Sequence, residues 1–229
     1  MIKKLMKKRL YLVASVALCT FVMCFVDAVI KPEYFVKSII KLILFLVVPS
    51  IFFIINSDER ASLKKLFIPD SKGLLRALLL GVGVYGVILG GYFLLRESFD
   101  FSGIAGKLTE NSGVSAENFL YVSLYISFVN SLLEEIFFRG FGFIMLKNAS
   151  SRAFAYVFSA SFFALYHVGM MIGYYGVHIL ALVVVGLFAA GIMFNYVNEK
   201  SENIYTSWLV HMFANFSINT VGAILFGII

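Results

Sequence analysis

Six polar side chains lie inside stretches otherwise apolar enough to cross a membrane. Glu134, Glu135 and Arg139 stand in NSLLEEIFFRGFG (Asn130–Gly142), His167 in FFALYHVG, and His211 and Asn215 in TSWLVHMFANFSIN. A charged side chain at the bilayer centre costs at least about 2.5–3.5 kcal/mol on the insertion scale, so such residues face protein or a wet cavity and commonly serve function. Carboxylate, imidazole and amide together suit hydrolysis of a peptide bond by water. That reaction needs a base for the water, donors for the tetrahedral oxyanion, and a proton for the leaving amine. Glu134 suits the base and His167 can hold and orient the water. His211 and Asn215, neighbours on one helix face, can offer hydrogen bonds to the oxyanion. Glu135 and Arg139 are four residues apart and can form a salt bridge that supports the helix and tunes Glu134. The bland reading is that both glutamates only neutralise Arg139 or mark a helix end.

Spacing sharpens the hydrolytic reading. Glu134 is turned by about 100° from Glu135 on a helix. Its own face carries Ser127, Asn130 and Ser131, a polar stripe that ends in a carboxylate. The short turn NASSR follows, and then the segment with His167. In an antiparallel hairpin, Glu134 and His167 are equidistant from a point between Ser150 and Ser151. At about 1.5 Å per residue both sit about 20–25 Å from it, at one level in the membrane. Ser207, His211, Asn215 and Asn219 recur at intervals of four and give the last segment one polar stripe. His211 lies about 16 Å from the turn near Lys200, close to the same level. For Ser207 and Asn219 the simpler role is interhelical hydrogen bonding.

The elements that must position these groups are membrane helices. Of 229 residues, 61% are hydrophobic and only 14% charged, which excludes an ordinary soluble domain and leaves a single integral-membrane unit over 1–229. Seven apolar segments, near 10–30, 34–55, 74–95, 118–146, 152–173, 177–197 and 204–228, are about the length needed to span a bilayer. The expected fold is an all-α bundle of seven transmembrane helices around a polar intramembrane cavity, with eight if the last segment divides. Residues 1–117 carry no motif and about 118–220 form the motif-bearing core. The start MIKKLMKKRL leads into a long apolar run with no A-x-A site, so it reads as a first helix retained in the chain.

Basic residues cluster at the start and in the 56–76 loop, while the 96–117 loop sets Arg96 and Lys107 against Glu97, Asp100, Glu110 and Glu117. That asymmetry places the N-terminus and the turns near 147–152 and 198–203 on the cytoplasmic side. The net charge of +6 therefore reads as membrane flanking and not as nucleic-acid binding. Cys19 and Cys24 share the first segment and suggest no disulfide framework. Gly176, Gly186 and Gly191 read as helix-packing positions, and Trp208 as an interfacial aromatic. His178, at the start of the sixth segment, is not assigned to catalysis.

Three motifs then form a pattern. EEIFFR fits Glu-Glu-x-x-x-Arg, FALYH fits Phe-x-x-x-His, and HMFAN fits His-x-x-x-Asn. In order and spacing they resemble the CPBP intramembrane proteases, also called the Abi or type II CAAX prenyl endopeptidase family. The likeness covers roughly 118–220, and none of the family's polar positions is lost. It implies an intramembrane endopeptidase with Glu134, His167, His211 and Asn215 catalytic and Glu135 and Arg139 supporting. The family is often labelled metalloprotease, and Glu134, His167 and His211 are also a zinc ligand set. A metal-free glutamate mechanism is favoured, with zinc as the alternative.

Other classes share parts of this pattern. Some family members are associated with bacteriocin self-immunity or membrane scaffolding, where the same motifs bind a membrane-protein partner. A small transporter would use intramembrane Glu and His as a proton path, but it predicts internal repeats and broken helices, and the sequence shows no repeat. The lysine-rich, short chain looks bacterial and suits a cell-membrane location. The expected substrate is therefore a leader or other small membrane-associated peptide, not a prenylated protein.

Overall fold

A computed structural model describes residues 2–99, 101, 103–173 and 176–229; Asp100, which the loop reading used, lies outside them. Seven helices are long and apolar enough to cross a membrane: α1 (Ile2–Ile30), α2 (Tyr34–Ile55), α3 (Ser71–Leu95), α4 (Phe119–Ala149), α5 (Arg152–Met171), α6 (Val177–Ser201) and α7 (Tyr205–Leu225). The last segment is one helix, so the division into eight does not occur. Short helices Arg60–Leu66 and Ile104–Ser112 occupy the two long loops. No strand occurs among the described residues.

The boundaries follow local chemistry. Asp70 caps α3 by accepting from the backbone N–H groups of Lys72 and Gly73. Ser151 caps α5 by accepting from Phe154 N–H at 3.3 Å, which fixes the tight turn between α4 and α5. α6 stops at Glu202, whose φ of 54° reverses the chain into α7.

Inside lipid the hydrophobic effect does not drive helices together, so close approach and hydrogen bonding must. Gly191 of α6 rests on α5, where a Cβ would come 2.9 Å from the Ala160 backbone. Gly169 of α5 rests on α1 in the same way, 2.7 Å from the Cys24 backbone, and Gly81 of α3 receives the ring of Phe213 from α7. By contrast, a Cβ at Gly176 or Gly186 would meet nothing within 4 Å among the described residues, and of the three glycines singled out in the sequence Gly191 is the one in close contact with another helix.

α4 is the axis of the bundle. Phe137, Phe138, Phe141 and Phe143 are all buried, and Phe45 of α2 stacks on Phe137 at 4.0 Å. Much of α4 is wound as π-helix, over Ile126–Asn130 and Glu135–Met145. Polar side chains of neighbouring helices cap its carbonyls. Ser159 of α5 donates to Phe138, Asn215 of α7 to Ile126, Asn219 of α7 to Ser123, and Trp208 of α7 to Phe128. Trp208 also donates to the Ser131 hydroxyl at 3.0 Å, so its indole N–H serves a helix contact.

Charges gather at the end of the bundle that holds the N-terminus. Lys8 pairs with Asp58 and Glu59 at 2.7 and 2.6 Å, and Arg152 and Lys147 pair with Glu199. The ammonium groups of Lys8 and Lys4 hold the Asp58 carboxyl down at about 2. This ties the loop after α2 to α1 across the neutral pH range.

Candidate active site

Glu134 and Glu135 sit midway along α4, where the winding passes into π-helix, and both are buried. α5 delivers His167 and α7 delivers His211 to the same level. The Nε2 atoms of His167 and His211 lie 3.7 and 3.8 Å from Oε2 of Glu134. Oε2 makes no hydrogen bond among the described residues. The other oxygen is held: Oε1 accepts from Asn130 Nδ2 at 2.8 Å and from Lys41 Nζ at 3.3 Å.

The two imidazoles are oriented from behind. His167 Nδ1 lies 2.8 Å from the Phe163 carbonyl, one turn back on α5. A carbonyl only accepts, so Nδ1 carries a proton there, and Nε2 is the nitrogen turned toward Glu134. His211 Nδ1 lies 2.9 Å from Oε1 of Glu135, another acceptor, so Nδ1 carries a proton there too. His211 also stacks on Phe194 of α6, and Phe163 stands edge-on to both imidazoles.

Glu135 is a hub of structure. Its Oε2 accepts from the Ser207 hydroxyl, which in turn accepts from Asn198 Nδ2 at 2.7 Å. Arg139 Nε lies 3.5 Å from the same oxygen. The guanidinium is fully buried, with its carbon 3.9 Å from the Phe163 ring centre and 4.9 Å from that of Phe194. Two aromatic faces and one carboxylate therefore share the stabilisation of this cation.

Asn215 was expected to donate to the oxyanion beside His211; the contact described for it runs to α4. Its amide N–H₂ donates to the Ile126 carbonyl at 3.2 Å and ties α7 to α4. Ser207 and Asn219 bridge helices, as expected of them. His178 is exposed at the start of α6.

One participant was not singled out in the sequence, Lys41; Asn130, read there as part of the polar stripe that ends in Glu134, is its partner. Lys41 lies in α2 and is 5% exposed, with its Nζ also 4.9 Å from the Tyr166 ring centre. The signal was available: a lysine inside an apolar run demands an intramembrane partner.

A cavity of about 320 Å³ opens at the end of the bundle away from the N-terminus, among Asp27, Tyr34, Lys37, Ile126, Asn219 and Phe226. Its walls are mainly apolar. Its lining on α4 stops at Ile126, one turn short of Asn130.

Zinc would need at least three donors about 2.0–2.2 Å from one point. Among the described residues no group of three or more His, Cys, Asp and Glu is arranged to hold a metal ion. The Lys41 ammonium, 3.3 Å from the same carboxylate, is a further mismatch for a divalent cation.

Residues 116–217 match the family model described as type II CAAX prenyl endopeptidase Rce1-like. No curated protein and no solved structure gives a significant match.

Proposed function

We propose that this chain, whose residues 116–217 match the type II CAAX prenyl endopeptidase family, is an intramembrane peptidase that uses Glu134 as its general base. The family match supports a CAAX-type intramembrane protease fold. The reaction is read from the site. The observation that carries it is Oε2 of Glu134, buried and without a hydrogen bond among the described residues, faced by two imidazole nitrogens at 3.7 and 3.8 Å. These separations exceed a hydrogen bond, but each suits a water bonded at about 2.8 Å to both groups.

In this reading Glu134 takes a proton from that water while its oxygen adds to the substrate carbonyl. His167 fixes the direction of attack through its Nε2 lone pair. His211, as the imidazolium with Glu135 behind it, donates from Nε2 to the oxyanion. The tetrahedral intermediate then breaks its C–N bond, and Glu134 returns the proton to the leaving amine, so the site regains its starting state. No metal takes part. Glu135 and Arg139 support the geometry and do not touch the substrate. The substrate class that fits is a small, apolar, membrane-associated peptide, because the nearby cavity has mainly apolar walls.

The test compares the membrane peptidome of cells making the parent chain with that of cells making Glu134→Gln. The variant should accumulate an uncleaved peptide whose shorter form is present with the parent. Identical peptidomes, together with parent-level cleavage by the purified variant, exclude this function.

A further inference from the structure

Lys41 is the one group of the cluster on α2, and nothing about peptide hydrolysis by Glu134 and two histidines requires a lysine. Its position is nonetheless specific. The ammonium lies between two acceptors and an aromatic face: Asn130 Oδ1, Glu134 Oε1 at 3.3 Å, and the Tyr166 ring at 4.9 Å. Asn130 closes a triangle by donating its own N–H to Oε1 at 2.8 Å. So, among the described residues, the hydrogen bonds to this carboxylate fall on Oε1, which receives two donors, and not on Oε2. The carboxylate could otherwise rotate and exchange its oxygens. With Oε1 clamped, Oε2 stays aimed at the two imidazoles.

We propose that Lys41 is a positioning residue of this site. Its ammonium, with Asn130, fixes Oε1 of Glu134 so that Oε2 is the oxygen that takes the proton. This rests on the proposed peptidase function. The competing view is that Lys41 only neutralises a buried carboxylate and so affects folding alone. The views differ in kinetics. A clamp that sets the direction of a base acts on turnover, because misplacing a catalytic group by about 1 Å costs up to about a hundredfold in rate. A purely neutralising charge changes the amount of folded protein and not the rate per folded molecule.

The experiment uses the full chain in detergent and an internally quenched apolar peptide that the parent cleaves. Lys41→Gln keeps an amide donor near Oε1 and removes the charge. It should lower kcat by about tenfold or more with KM within about twofold, and Lys41→Arg should recover most of that loss. Asn130→Ala leaves the cation against Glu134, and with it the fold, but removes the second donor. It should lower kcat by about threefold or more. Parent kcat in either folded variant, a loss confined to KM, or no recovery with Lys41→Arg overturns the proposal. If Lys41→Gln does not fold, Asn130→Ala decides alone. Glu134→Gln runs in the same assay: if it still cleaves, the peptidase reading itself has failed, whereas a dead Glu134→Gln beside unaffected clamp variants removes only the role of Lys41.

Discussion

His211 stands with Nδ1 2.9 Å from Oε1 of Glu135, while its Nε2 faces Glu134 at 3.8 Å. One imidazole thus separates two adjacent carboxylates into different tasks. Glu135 has both oxygens committed, to His211, Ser207 and Arg139. Glu134 keeps one oxygen uncommitted.

Glu135→Gln should therefore damage the fold first. It leaves the Arg139 guanidinium buried with only aromatic faces for company. Breaking a buried ion pair typically destabilises by about 3–5 kcal/mol. Thermal unfolding in detergent should show a clear fall in midpoint and a lower folded yield. A parent-like midpoint contradicts the supporting role.

Asn215→Ala discriminates a helix tie from a donor to substrate. Loss of the bond to the Ile126 carbonyl removes an interhelical hydrogen bond worth about 0.6 kcal/mol on average in membranes. The account expects a small drop in midpoint together with slower cleavage, because α7 carries His211. A variant of unchanged stability whose kcat alone collapses would instead assign Asn215 directly to the oxyanion.

The common level of these groups in the bundle was legible in the sequence, and the reason is geometric. A tight turn at Ser150 and Ser151 forces α4 and α5 antiparallel, so equal residue counts put Glu134 and His167 side by side. The stripe of Ser207, His211, Asn215 and Asn219 likewise predicted which face of α7 meets α4. Three features were not legible. The π-helical winding of α4 has no residue signature, yet it decides which carbonyls accept from α5 and α7. Lys41 was not singled out: it stands seven residues into α2, which begins at Tyr34, and its place in the sequence names no partner for it. Trp208 read as an interfacial aromatic because its place near a helix end says nothing of where its N–H points.

Glycine contacts give a test of the packing alone. Gly191→Val should push α6 off Ala160 and destabilise by about 1–3 kcal/mol, as overpacking does. Gly186→Ala, with open space around it, should stay within about 1 kcal/mol of the parent. Equal effects of the two substitutions on the unfolding midpoint contradict the described α5–α6 contact.

Metal removal bears on the mechanism. Incubating the purified chain with a zinc chelator and dialysing should leave the cleavage rate within about twofold, because the carboxylate and not a metal activates the water. Loss of activity that returns with added zinc contradicts the metal-free reading.

The most direct measurement is cleavage per folded molecule by Glu134→Gln, with folding checked by thermal unfolding in the same detergent. Glutamine keeps the shape and the hydrogen bonds with Asn130 and Lys41 within reach, but it cannot accept a proton. The account predicts a folded protein whose turnover falls by about two to four orders of magnitude, the range expected for a lost general base. A folded Glu134→Gln that cleaves at close to the parent rate contradicts it and leaves both glutamates a structural role.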